Sequence, residues 1–147
     1  MSERDAAFSL HPTLAADTVW LGDLTLSRVL LSRDSRYPWI ILVPKRAGIR
    51  EIYELDDEAG LLLAESCSIA KLMQAAFMPD KLNIAAIGNV VEQLHLHHVA
   101  RFHEDAAWPK PIWGLLSREP HTDEALEKAI TRWREWLGVL PEFKVAG

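Results

Sequence analysis

The sequence predicts an α+β fold built on an antiparallel sheet of about five strands, with a long central helix and a C-terminal helix. Three observations predict it. Strand-like runs are grouped at the front of the chain rather than alternating one by one with helices. A long amphipathic stretch follows them, and then two more strand-like runs and a second helix. The composition is that of an ordinary globular protein: 147 residues, 49% hydrophobic and 25% charged. A chain of this length fits one domain with one core, here 1–147, with a loose N-terminus over 1–10 and a tail over 139–147.

Each element has a local reason. Thr18–Gly22 and Leu24–Ser32 are rich in β-branched and apolar residues, and the Gly22-Asp23 pair between them reads as a hairpin turn. Asp34-Ser-Arg-Tyr-Pro38 is turn chemistry. Trp39–Val43 is a continuous apolar run that suits a strand covered on both faces, and Pro44 ends it because proline cannot continue the ladder. Asp56 and Asp57 open a helical stretch to Phe77, with Leu62, Ser66, Ile69, Met73, Ala76 and Phe77 recurring at helical spacing and Pro79 just beyond. Lys81–Ile87 and Val90–Phe102 are the next strands, with Gly88-Asn89 between them. His121-Thr122-Asp123-Glu124 forms the cap and acidic first turn of a helix to about Leu137, which Gly138 stops.

Charge and cysteine content narrow the function. The formal net charge is −5 and the pI about 5.6, against a polymeric nucleic acid as main partner, since phosphate binding needs a basic surface. A small site for one nucleotide stays open. The single cysteine, Cys67, forbids an intrachain disulfide and a cysteine-built zinc site, and it fits a reducing compartment. It reads as a packed thiol within its helix. Met1–Asp5 is charged with no apolar region after it, so no signal peptide is expected, and no apolar run reaches the length of a membrane span. The expected location is the cytoplasm.

The chemistry concentrates in Gln93-Leu-His-Leu-His-His-Val-Ala-Arg101. Side chains alternate faces along a strand, which puts Gln93, His95, His97, Val99 and Arg101 on one face and Leu94, Leu96, His98 and Ala100 on the other. Same-face neighbours lie about 7 Å apart at the backbone, close enough for two imidazoles to touch one phosphate. Such a pair has three uses. One ring can attack phosphorus while the other stabilises charge on the phosphoryl oxygens. The pair can supply two ligands of a metal site. Or the rings are polar, half-buried side chains with no chemistry.

The segment resembles the histidine-triad (HIT) family, whose motif is His-φ-His-φ-His-φ-φ with φ apolar. Gly88–Arg101 is similar to a bacterial branch of that family. Further resemblance lies in Trp39–Arg46, with its Pro44-Lys45 pair, in Asp57–Phe77, in Lys81-Leu-Asn83, and in Trp108-Pro109 and Trp113-Gly114. It implies a homodimer whose sheets join across the interface, and nucleotidyl hydrolysis or transfer on nucleoside phosphoanhydrides, phosphoramidates or esters, with no catalytic metal or other cofactor. The base is held through largely apolar contacts. By resemblance His95 is the nucleophile and His97 contacts the phosphate.

The first triad position is Gln93 rather than histidine. Glutamine cannot take the same proton, but it donates and accepts hydrogen bonds and could orient His95 or the phosphate. A glutamine also replaces one triad position, the last, in the related galactose-1-phosphate uridylyltransferases. With Gln93 in the motif, a non-catalytic nucleotide-binding module is the alternative reading. Asn83 and Asn89 resemble phosphate-contacting positions, and Asp34 resembles the residue that binds the ribose hydroxyls. Arg101 can meet distal phosphates or pair with Glu104 or Asp105. His98, on the reverse face, reads as structural or interfacial. His11, His103 and His121 read as lying outside strands. Trp133 and Trp136 suit the core or a dimer contact, and Trp108 and Trp113 the cover of a site opening.

Overall fold

A computed structural model describes residues 7–147. The expected absence of a signal sequence falls on residues outside those described. In chain order the elements are α1 (Pro12–Asp17), β1 (Thr18–Asp23), β2 (Ser27–Ser32), β3 (Trp39–Pro44), a 3-10 turn (Ile52–Glu58), α2 (Ala59–Phe77), β4 (Lys81–Ala86), β5 (Leu96–Arg101), α3 (Asp123–Leu137) and β6 (Lys144–Val145). They form one open six-stranded sheet in the order β4-β5-β3-β2-β1-β6, with every pairing antiparallel. The α+β class, the central helix and the C-terminal helix are as the sequence predicts. The sixth strand is a two-residue pairing of the tail with β1.

The faces of the sheet have different covers. Val29, Leu31, Ile40, Leu42, Leu96 and Ala100 point to the main core, where α2 contributes Leu62, Ile69 and Met73 and α3 contributes Trp133 and Leu137. The opposite face carries Leu30, Ile41 and Val43, packed against Leu14 of α1, Val91 and the half-buried Phe8 and Leu10. Phe8 and Leu10 thus pack on this face of the sheet. Thr122 caps α3 by accepting from the Ala125 amide, and Asp123 and Glu124 fill its first turn, as expected from dipole and capping physics.

Four local expectations need correction. The β1–β2 turn is Leu24-Thr25-Leu26, and Gly22 and Asp23 belong to β1. Gly22 sits where a Cβ would lie 2.3 Å from the Lys144 carbonyl oxygen and 2.5 Å from the Phe143 ring, so close approach of the tail, rather than a turn, requires glycine here. Asp56 and Asp57 belong to the 3-10 turn, and Asp56, at φ 52°, kinks the chain within that turn before α2 begins. The motif strand, β5, begins at Leu96; residues 90–95 approach it as irregular chain. Cys67 faces outward on α2 and is exposed rather than packed.

Candidate functional site

His97 lies within β5, opposite Ile41 of β3 and Ala85 of β4. His95 stands one residue before the strand, and their rings meet edge to face with centroids 4.9 Å apart. Both are buried, at 7% exposure. They open onto a cavity of about 520 Å³ whose apolar wall includes Leu14, Trp39, Ile41, Val91 and Trp113. His98 points through the sheet to α2, where its Nε2 bonds the Ser66 hydroxyl at 2.7 Å. The alternation of faces expected for the motif thus separates His97 from His98.

The hydrogen bonds fix the proton positions of the two site rings. His95 Nδ1 lies 2.6 Å from the Gln93 carbonyl oxygen. A carbonyl only accepts, so Nδ1 carries the proton and, in the neutral ring, Nε2 carries the lone pair. Trp39 Nε1–H donates to His97 Nδ1 at 3.0 Å. An indole only donates, so the proton of a neutral His97 sits on Nε2. Burial, reinforced by the neighbouring His95 and His98, pushes His97 down to about 3, which keeps it neutral at physiological pH. In their neutral forms the adjacent imidazoles therefore hold opposite tautomers, one with a free lone pair on Nε2 and the other with an N–H donor there.

The remaining site candidates separate into two groups. Asn89 lines the cavity with His95 and His97, beside Gly88. Asn83 and Arg101 share the histidine face of the sheet but turn to each other: Arg101 donates to the Asn83 side-chain oxygen at 2.8 Å and holds Asp105 through two bonds of 2.7 and 3.0 Å. Of the pairing partners expected for Arg101, Asp105 is the one engaged. Burial alone would raise the Asp105 carboxyl; the Arg101 bond and the Phe102 and Ala107 amides outweigh it and hold the group at about 2. Asp34 lines a neighbouring cavity of about 240 Å³, and Arg36 grips both its carboxylate oxygens, at 3.1 and 2.8 Å. Burial would raise its pKa, but these bonds bring it below the usual value.

Gln93 reaches His95 only through its main chain. Its side-chain oxygen accepts from the His11 amide and its side-chain nitrogen donates to the Ser9 carbonyl, both at 2.9 Å. His11 also caps α1, accepting from the Thr13 amide through Nδ1. Trp113 packs on His97 at 5.3 Å, whereas Trp108 stacks on His103 away from the cavity. Sequence reasoning missed Trp39 and α1. Trp39 becomes a partner of His97 only because β3 lies beside β5, and a strand order is not written in local pattern. The helix α1 is too short for periodicity, and its one sequence signal was Pro12 after His11. Among the described residues no group of three or more His, Cys, Asp or Glu is arranged to hold a metal ion, and no helix is long and apolar enough to cross a membrane.

The HIT domain model matches residues 14–104. A histidine triad protein from Marinobacter aquaeolei VT8 is 47% identical, with a TM-score of 0.87 over 90% of this chain and 98% of that one. A histidine triad protein from Bradyrhizobium japonicum is 42% identical, with a TM-score of 0.84 over 88% of this chain and 97% of that one. A histidine triad (HIT) protein from Sinorhizobium meliloti 1021 is 38% identical, with the same TM-score and the same two coverages. Among curated proteins none matches significantly.

Proposed function

This chain belongs to the histidine triad family, and from that premise we propose that it is a nucleotidyl hydrolase or transferase acting on a nucleoside phosphoanhydride, phosphoramidate or ester. The observation that carries this reading is the pair of opposite tautomers at the floor of an apolar cavity. A nucleobase and ribose suit the apolar walls, and the α-phosphate then lies against the two rings.

His95 Nε2 attacks the α-phosphorus. A P–N bond forms as the bond to the leaving group breaks, and that bonding pair departs with the leaving group, which takes up a proton from solvent. His97 donates its Nε2–H to a non-bridging oxygen, and Asn89 stands on the same wall to hold another. Water then attacks phosphorus. The P–N bond breaks, its electron pair returns to His95, the water proton goes to solvent, and a nucleoside monophosphate leaves. Burial holds His97 in its neutral form, so it meets the phosphoryl oxygens as an N–H dipole.

The exposed edge strand β4, with Ile84 outward and Ile87 and Val90 exposed just beyond, supports a homodimer joined at this edge. A reducing, cytoplasmic setting fits the exposed unpaired Cys67. The testing experiment is steady-state turnover of a panel of nucleoside phosphoramidates, aminoacyl adenylates and dinucleoside polyphosphates by wild type and His95→Ala. Turnover by wild type that falls at least a thousandfold in the variant is expected. Full activity in the variant rejects the mechanism. Nucleotide binding by wild type with no turnover of any substrate assigns the chain to the binding-module class.

A further inference from the structure

The glutamine in place of the first triad histidine has a use that the catalytic reading leaves out. Its carboxamide meets two backbone groups of the N-terminal segment at once, accepting from the His11 N–H and donating to the Ser9 C=O. This is the pairing that a neighbouring strand would make, delivered by a side chain. The clasped segment leads directly into α1, whose Thr13, Leu14 and Asp17 line the histidine cavity. At the far end of α1 the Asp17 carboxylate pairs with Arg118 at 2.7 Å, and Arg118 lines the same cavity. In between, Leu14 is buried against Ile41, Val43 and Val91.

We propose that Gln93 is a positioning residue for binding: it fastens α1 as one wall of the nucleotide cavity while its own carbonyl sets the His95 tautomer. This rests on the reading that the cavity holds a nucleotide. One residue thereby serves wall and nucleophile together, its side chain holding the segment before α1 and its carbonyl holding His95. A histidine cannot substitute for it. A neutral imidazole has one donor and one acceptor on opposite sides of a rigid ring, and it cannot present them side by side to His11 and Ser9.

The test uses the full chain with Gln93→Ala, Gln93→His and His11→Pro. Proline fits at residue 11, where φ is −55°, and removes the N–H from the other side of the clasp, together with the imidazole cap on Thr13, so Gln93→Ala is the variant that decides the clasp. Amide hydrogen exchange is expected to speed up over residues 13–17 in all three variants, with the core strands unchanged. AMP, used as the probe, is expected to slow exchange over the same residues in wild type, and to bind about tenfold more weakly to each variant. Reciprocity requires both effects if wall and ligand are coupled, and a merely structural role would show neither of the AMP effects. The weakening in the Gln93→Ala/His11→Pro double variant should fall well short of the product of the singles, since both cut the same clasp. Unchanged exchange in Gln93→Ala overturns the clasp whatever AMP does. Faster exchange with unchanged AMP affinity overturns its role in binding. Absence of AMP binding to wild type defeats the nucleotide reading and the binding role together, and the exchange result still decides the clasp by itself.

Discussion

Replacing His98 with glutamine makes the stability of this protein depend less on pH. His98 is 1% exposed, bonds Ser66 through Nε2 and, among the described residues, leaves Nδ1 without a partner. Burial lowers its pKa from 6.5 to about 4. Between those values the unfolded chain binds a proton that the folded chain refuses. The stability due to the neutral buried ring is complete above pH 6.5 and is lost as pH falls toward 4. Integrated from pH 7 to pH 5, one such histidine costs about 2 kcal/mol. His97, lowered to about 3, acts in the same direction. Glu65, raised by burial, acts in the opposite one, since its protonated form is favoured in the fold. Wild type and His98→Gln share both of these groups, so the difference between the two proteins reads His98 together with its smaller part in lowering His97. At pH 7 the variant should be less stable by about 1–3 kcal/mol, through lost packing and the lost Ser66 bond. At pH 5 that gap should shrink by about 2 kcal/mol, to near zero or reversed sign. Urea unfolding at pH 7, 6 and 5, with m-values compared, measures it. A stability gap equal at pH 7 and pH 5 would mean that His98 is not held neutral by burial.

Trp39→Phe keeps an aromatic ring near His97 but removes the N–H that holds its tautomer. Turnover should fall about tenfold, equivalent to one hydrogen bond of about 1.4 kcal/mol, and ¹⁵N shifts of His97 should show mixed tautomers; shifts identical to wild type would contradict the assignment. Gly22→Ala places a methyl group against the Lys144 carbonyl and the Phe143 ring. It should cost about 1–3 kcal/mol and release exchange protection at Ala146, whose amide bonds the Leu21 carbonyl. Asp105→Asn leaves the Arg101 guanidinium, 1% exposed, without its charge partner. A loss of about 3–5 kcal/mol in denaturant unfolding is expected.

What the sequence made legible was what local pattern encodes. The apolar run Trp39–Val43 ended by Pro44 is β3, the spacing of Leu62, Ser66, Ile69 and Met73 is the buried face of α2, and Thr122 is a working cap. The separation of His97 from His98 followed from strand alternation alone. Long-range choices were not legible. Gly22 looked like a turn because its reason, the Phe143 ring, lies at the other end of the chain. The motif strand looked longer than it is because residues 90–95 carry strand-like side chains while their chain turns away to build the cavity rim. Asp34 offered a free carboxylate in sequence, and only the fold shows Arg36 closing on it. Gln93 was legible as a departure from the triad, but its partners, Ser9 and His11, are more than eighty residues away.

In the proposed mechanism His95 attacks phosphorus through Nε2, because the Gln93 carbonyl holds the proton on Nδ1. The most direct measurement is acid-free rapid quench of wild type with a nucleoside phosphoramidate, followed by intact mass, peptide mapping and phosphorus–nitrogen NMR of the adduct. The expected result is an added nucleoside monophosphate, located on His95 and bonded to Nε2, and absent from His95→Ala. An adduct on another residue, or on His95 Nδ1, or turnover with no adduct at any quench time, would contradict it.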